Sequence, residues 1–353
     1  VRDHPEWFAG AHATDARPGT LDYYGAHHVG VHIVHPEKGN NDPQRDGIVI
    51  VPRSYEAMFG PFSGDDTPFD LEAKRDAVIA NILNKTVVGV DTPGFGMNPD
   101  AKPDYAHMRE ASVYGSMIPH TYAQLEAIMA ALKDQGIYDP NIESMLRMEF
   151  VGYSMGNIAV VDMMHQLPEF IPNPEVTGLM MVEPVNDQKF GLIGDKGLLA
   201  AIGRETNQPN TDRYFAQNVR NDLPAGYDRE AGDNFGDFNP GRRARQEAAK
   251  KQGSATNLSI GAGMRKPFAP RLAQQLAAQP AIDVDMVRTN GSEVARREQN
   301  ARTAVELAQV ADRLAATTVL PTEDEPDHHH PIWQSLPGTA AIVSDRAARR
   351  QSR

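Results

Sequence analysis

A serine between glycines, Gly152-Tyr153-Ser154-Met155-Gly156, is the stretch of this chain best suited to covalent chemistry. A serine hydroxyl is a poor nucleophile until a base takes its proton. It must therefore be held beside a base and near backbone N–H donors that stabilise an oxyanion. The flanking residues supply such a setting. Met148-Glu149-Phe150-Val151 is a short apolar run, and Ile158, Val161, Met164 and Leu167 recur at helical spacing. The pattern reads strand, tight turn, helix, with Ser154 at the apex. Gly152 and Gly156 let the chain fold back without Cβ clashes, and the first N–H groups of the helix aim at the oxyanion position.

The rest of the chain must build a frame that can hold such a turn. At 353 residues and 40% apolar content it is long enough for one large α/β domain, or a core with an insertion. No 18-residue apolar run and no signal-peptide pattern occurs, so a soluble, cytoplasmic or assembly-bound protein is expected. The absence of cysteine excludes disulfides, thiolate metal sites and a cysteine nucleophile. A net charge of −12 argues against nucleic-acid binding, although residues 346–353 are locally basic and are expected to form a tail.

Residues 1–24 are polar and rich in Gly and Pro. Val29, Val31 and Ile33 then alternate, and after a turn-rich stretch comes Gly47-Ile48-Val49-Ile50-Val51; together they predict a hairpin whose second strand is buried on both faces. Thr86 to Val90 is another buried strand and runs into the turn Asp91-Thr92-Pro93-Gly94-Phe95-Gly96. A helix is expected from Pro119, with Leu125, Ile128, Met129 and Leu132 on one stripe and Gly136 as its stop. Val176 to Val182 reads as a strand ending at Glu183-Pro184. Residues 186–278 are polar and lack a convincing strand, which predicts a helical cap inserted between core segments 25–185 and 279–345. The strand pattern resumes at Val284, a helix is expected from about Ser292 to Leu314, and Thr317 to Leu320 is the last strand. Strands alternating with helices imply a mostly parallel sheet flanked on both faces.

The turn from Asp91 to Gly96 resembles the D-x-P-G-x-G turn after the fourth strand of the α/β-hydrolase fold family, and Gly152 to Gly156 resembles its nucleophile elbow. The resemblance covers about residues 25–345 and implies a triad in the order nucleophile, acid, histidine. Histidine comes from Asp327-His328-His329-His330-Pro331, after the last strand; the spacing from His330 to Pro337 resembles the family best, with His329 next and His328 third. The acid is expected at Glu293, in the turn after the Val284 strand where the family usually keeps it, ahead of Glu183, at the end of the preceding strand, with Asp187 and Asp285 as outsiders. Where the family carries His-Gly, this chain has Pro52-Arg53-Ser54, so the oxyanion donors would be the N–H of Met155 with that of Arg53 or Ser54.

These residues predict a serine hydrolase that cleaves a small-molecule ester or related acyl compound through an acyl-enzyme, with no metal or organic cofactor. Neighbouring histidines chelate one ion poorly, and no thiolate is present. The competing expectation, which the missing His-Gly and the long polar insertion favour, is a non-catalytic protein of the same fold serving as a binding or structural subunit of a homo-oligomer or larger assembly.

Overall fold

The computed structural model describes residues 29, 31–37, 41–52, 71–90, 118–139, 146–154, 156–185, 267–289, 295–319 and 336–352. Among these residues seven strands form one sheet: β1 (Val31–Val34), β2 (Ile48–Pro52), β3 (Thr86–Val90), β4 (Arg147–Tyr153), β5 (Glu175–Val182), β6 (Asp283–Thr289) and β7 (Arg313–Val319). Among the described residues seven helices accompany them: α1 (Pro43–Asp46), α2 (Leu71–Leu83), α3 (Ile118–Asp134), α4 (Gly156–Phe170), α5 (Ala269–Ala278), α6 (Arg297–Ala308) and α7 (Leu336–Gln351). The strand order is β1-β3-β2-β4-β5-β6-β7, parallel throughout except for β1, which runs antiparallel to β3 at one edge.

Side-chain alternation along each strand assigns the two faces. On β4, Met148 and Phe150 join a large apolar cluster with residues of α3, α4 and α5. Val151 and Tyr153 point the other way, into a smaller cluster with Ile79 and Ala80 of α2 and Ile342 and Val343 of α7. Helices thus cover both faces, which is why β2 and β3 are apolar and buried along their whole length rather than alternating. The helix from Pro119 appears as α3, and Gly136, at φ +67°, follows its end.

The expected hairpin is not formed: β1 pairs with β3, and β2 lies between β3 and β4. β2, apolar and buried along its whole length, takes an interior position with a parallel partner on each edge, and β1 is left to the sheet edge beside β3. Residues 269–278, expected as the end of a cap, instead form α5 and pack in the core. Phe268, Leu272 and Leu276 of the α5 segment are fully buried in the large cluster, and Arg271 pairs with the buried Asp162 of α4, so α5 belongs to the core. Residues 186–266, where the cap was expected, lie outside the described residues. The helix expected from Ser292 to Leu314 ends at Ala308, because Arg313 to Val319 pairs with β6 along its full length and draws Leu314 into the last strand. Helix α2 was not read from the sequence at all.

The basic stretch from Arg346 is no tail. It completes α7 and docks that helix on the sheet through charge. Glu149 projects from β4 onto the α7 face and is 1% exposed. It accepts from Arg346 Nη2 at 2.9 Å and Lys85 Nζ at 2.6 Å and pairs with Arg350 at 2.6 Å. Asp285 of β6 accepts from Arg349 at 2.8 Å and lies 3.3 Å from Arg346 Nε. Between these carboxylates stands Gly178 of β5, where a Cβ would collide with the guanidinium ends of Arg350 and Arg346. A charged helix end can lie against a buried sheet here because each carboxylate has a cation within bonding distance, and Gly178 leaves them room.

Burial pushes the Glu149 carboxyl up, but the charges of Arg346, Lys85 and Arg350 outweigh it and bring it from 4.5 down to about 2. A depressed carboxyl contributes stability that is complete above its unfolded value and is lost as pH falls through the folded one. Glu149→Gln should therefore destabilise the protein by about 3–5 kcal/mol at neutral pH, since it leaves Arg346 buried without its counter-charge. The deficit relative to wild type should shrink between about pH 5 and pH 2, which chemical denaturation across that range checks.

Candidate active site

The strand order reverses direction at β2. From β2 the chain crosses to β3 on one side, and the next strand, β4, lies on the other. Helix α2, after β2, and helix α4, after β4, cover opposite faces. In open α/β sheets such a reversal marks the place, at the C-terminal ends of the strands, where ligands bind. Ser154 is the first residue beyond β4 at that end.

Ser154 is held at φ +51°, in the left-handed region, and is 6% exposed. A non-glycine residue there costs on the order of 1–3 kcal/mol and persists only when its surroundings over-determine it. They do. The Ser154 N–H donates to Val182 O of β5 at 3.0 Å. The Ser154 carbonyl accepts from the Asn157 N–H at 3.2 Å and from Asn157 Nδ2 at 2.9 Å, and the same amide also reaches Val182 O at 3.0 Å. Asn157, wholly buried in the first turn of α4, thus ties turn, helix and neighbouring strand together. Gly152 lets it do so: a Cβ there would lie 2.6 Å from Asn157 Oδ1 and 2.9 Å from Asn157 Cα.

Three non-glycine residues among those described have positive φ. Asn84 follows α2 in the turn to β3, and asparagine tolerates this region. The other two are Ser154 and Glu183, which stand side by side: Tyr153 pairs with Val182, and each strained residue comes next in its strand. Glu183, at φ +48°, is 2% exposed and donates its N–H to Val287 O of β6 at 2.8 Å. Beyond it comes Arg288. Burial, and then the charge of Arg297, push the Arg288 guanidinium down from its ordinary value, while Glu183 pulls it up. Two of the three positive-φ non-glycine residues described thus stand at adjacent strand ends, and both are buried and polar.

No family model matches the sequence, and no curated protein matches it. Solved structures do match its architecture. A serine hydrolase from the polyaromatic-hydrocarbon-degrading bacterium Cycloclasticus zankles aligns with a TM-score of 0.50 at 11% identity, over 94% of this chain and 96% of its own. A serine hydrolase involved in carbazole degradation aligns at 0.49 and 15% identity, over 94% and 98%. This chain has the α/β-hydrolase fold.

Of the residues expected at an α/β-hydrolase site, the described part of the structure contains Ser154 and Glu183 and brings them to adjacent strand ends. Met155, Arg53, Ser54, Glu293, His328, His329, His330 and Asp187 lie outside the described residues. Asp285 is removed from consideration: it points to the α7 face and is committed to Arg346 and Arg349. Asn157 and Arg288 were not anticipated. An asparagine three residues after a turn serine carries no signal by itself, and the setting of Arg288 comes from strand pairing. Among the described residues no three His, Cys, Asp or Glu side chains are grouped to hold a metal ion, and no helix is long and apolar enough to cross a membrane.

Asn157→Ala removes two buried hydrogen bonds that brace the turn and should lower stability by about 1–3 kcal/mol. Gly152→Ala should also destabilise, because its Cβ meets helix backbone that cannot rotate away. Urea denaturation checks both, with a lower midpoint and an unchanged slope expected.

Proposed function

We propose that this protein is a serine hydrolase that cleaves an ester or related acyl bond of a small molecule, with Ser154 as nucleophile. The observation that carries the proposal is the strained, over-braced conformation of Ser154 at the apex of a strand-turn-helix, where the strand order reverses. The serine hydrolase from Cycloclasticus zankles, which shares the fold, points the same way.

In this reading Ser154 Oγ attacks the acyl carbonyl while a histidine, His330 or His329, takes its proton and then passes it to the leaving alcohol. Water reverses the sequence and frees the acid. The Met155 N–H and that of Arg53 or Ser54 bind the oxyanion. The orienting acid is Glu183 or Glu293. Two observations support Glu183: it is buried at the strand end next to Ser154, and its backbone is held in a conformation that folding alone does not reward. No cofactor enters the scheme.

Wild-type protein should react with a fluorophosphonate probe and turn over short p-nitrophenyl esters, and Ser154→Ala should lose both while keeping its melting temperature. Folded wild-type protein that does neither would leave the non-catalytic reading in possession.

The acid is tested by a pair of variants. Glu183→Gln should lower kcat by about a hundredfold or more with KM within a few-fold, because the imidazolium loses its counter-charge only in the transition state. Glu293→Gln should do less; the opposite ranking assigns the acid to Glu293.

A further inference from the structure

A closed ring of three hydrogen bonds holds Ser154. Its N–H donates to Val182 O of β5 at 3.0 Å, Asn157 Nδ2 donates to the same oxygen at 3.0 Å, and the second hydrogen of that amide goes to the Ser154 carbonyl at 2.9 Å. Both hydrogens of the amide are thereby used. Because the ring takes the N–H and the carbonyl of Ser154 alike, it fixes the backbone on each side of a Cα whose φ is +51°.

The ring has a cost. Asn157 is wholly buried, and with both amide hydrogens committed its Oδ1 is left without a donor. That oxygen lies against Gly152, where a Cβ would come within 2.6 Å of it. A flipped amide would set Oδ1 against two carbonyl oxygens, so the ring allows this orientation alone. The apolar face of α4, with Ile158, Val161, Met164 and Leu167 in the large cluster, supplies the burial that docks the helix. What the amide adds is direction at Ser154.

A peptide unit is planar and trans, so its N–H points opposite to its C=O. Whatever fixes the Ser154 carbonyl therefore fixes the backbone donor that shares its plane. We propose that Asn157 is a positioning residue for acyl transfer: by gripping the Ser154 carbonyl it holds the peptide plane whose N–H, that of Met155, is the oxyanion donor of the hydrolase reading, on which this inference rests. A hydrogen bond weakens steeply once its angle falls below about 120°. A plane free to rock would lose much of the stabilisation that a fixed donor gives the tetrahedral intermediate. Asn157 is buried and acts only through the plane it holds.

The test compares p-nitrophenyl butyrate with its thionoester, in which sulfur replaces the carbonyl oxygen. Sulfur is a weak acceptor on a longer bond, so a hole built for oxygen stabilises it poorly. Fluorophosphonate labelling carried to completion counts competent sites, and rates are taken per site. Wild-type protein should prefer the ester by about a hundredfold or more. Asn157→Ala should lower kcat for the ester about tenfold or more with KM within a few-fold, and should shrink the preference about tenfold, because the thionoester has little of this stabilisation to lose. Asn157→Ser, whose hydroxyl can bond back to the carbonyl three residues earlier, should stand between the two, and it decides the matter if the alanine variant does not fold. Thr121→Val removes a buried hydrogen bond to Gln166, near the other end of α4. It should lower the melting temperature and leave both kcat per site and the preference at wild-type values. A preference unchanged in the Asn157 variants, or lowered equally by Thr121→Val, overturns the proposal alone. Folded wild-type protein that neither labels nor hydrolyses the ester overturns the hydrolase reading and this inference with it.

Discussion

Both helix layers take their position from β4. One face of that strand carries Glu149, which is buried and demands cations, and the other carries Gly152, which leaves a space one Cβ deep. The first demand is met by α7, whose Arg346 and Arg350 reach across the sheet to the carboxylate. The second is met by α4, whose Asn157 fills the space and bonds back to the turn. Neither helix could slide by a turn, about 5.4 Å, without losing a buried bond. Registry on both faces of one strand therefore fixes the frame around Ser154.

The two devices differ in cost. The ionic one takes several charged groups out of water, and such groups contribute less net stability than their short distances suggest; what they supply is a single register, because any displacement leaves a charge uncompensated. Gly178 belongs to the same device, since its missing side chain lets guanidiniums lie flat on the sheet. The amide device at Asn157 uses neutral groups, costs less to bury, and acts on the strained turn at Ser154.

That strain is concentrated. Ser154 and Glu183 sit at adjacent strand ends, both in the left-handed region and both almost fully buried. A fold selected for stability alone would place glycine or asparagine at such positions, as it does at Gly136 and Asn84. The side chains kept there at a cost are a hydroxyl and a carboxylate, which are the groups that acyl transfer uses.

By itself the sequence determined what depends on near neighbours in the chain. The run Ile48 to Val51 and the run Thr86 to Val90 are apolar without alternation, which already implies strands covered on both faces, and the glycines around Ser154 imply a sharp turn between a strand and a helix. Gly136 stops α3 where its conformational freedom predicts. Ser154 and Glu183 were both legible as strand-end residues. What only the tertiary structure decided is pairing between distant segments. β1 joins β3 rather than β2, α5 joins the core rather than a cap, and the arginines after Asp345 are helix residues closing on Glu149, almost two hundred positions earlier, not a solvated tail. Charge and polarity along a chain do not reveal where their partners lie. A run of arginines looks exposed until the buried carboxylate that neutralises it is found, and an asparagine in a helix looks incidental until the carbonyls it satisfies are brought to it by the sheet.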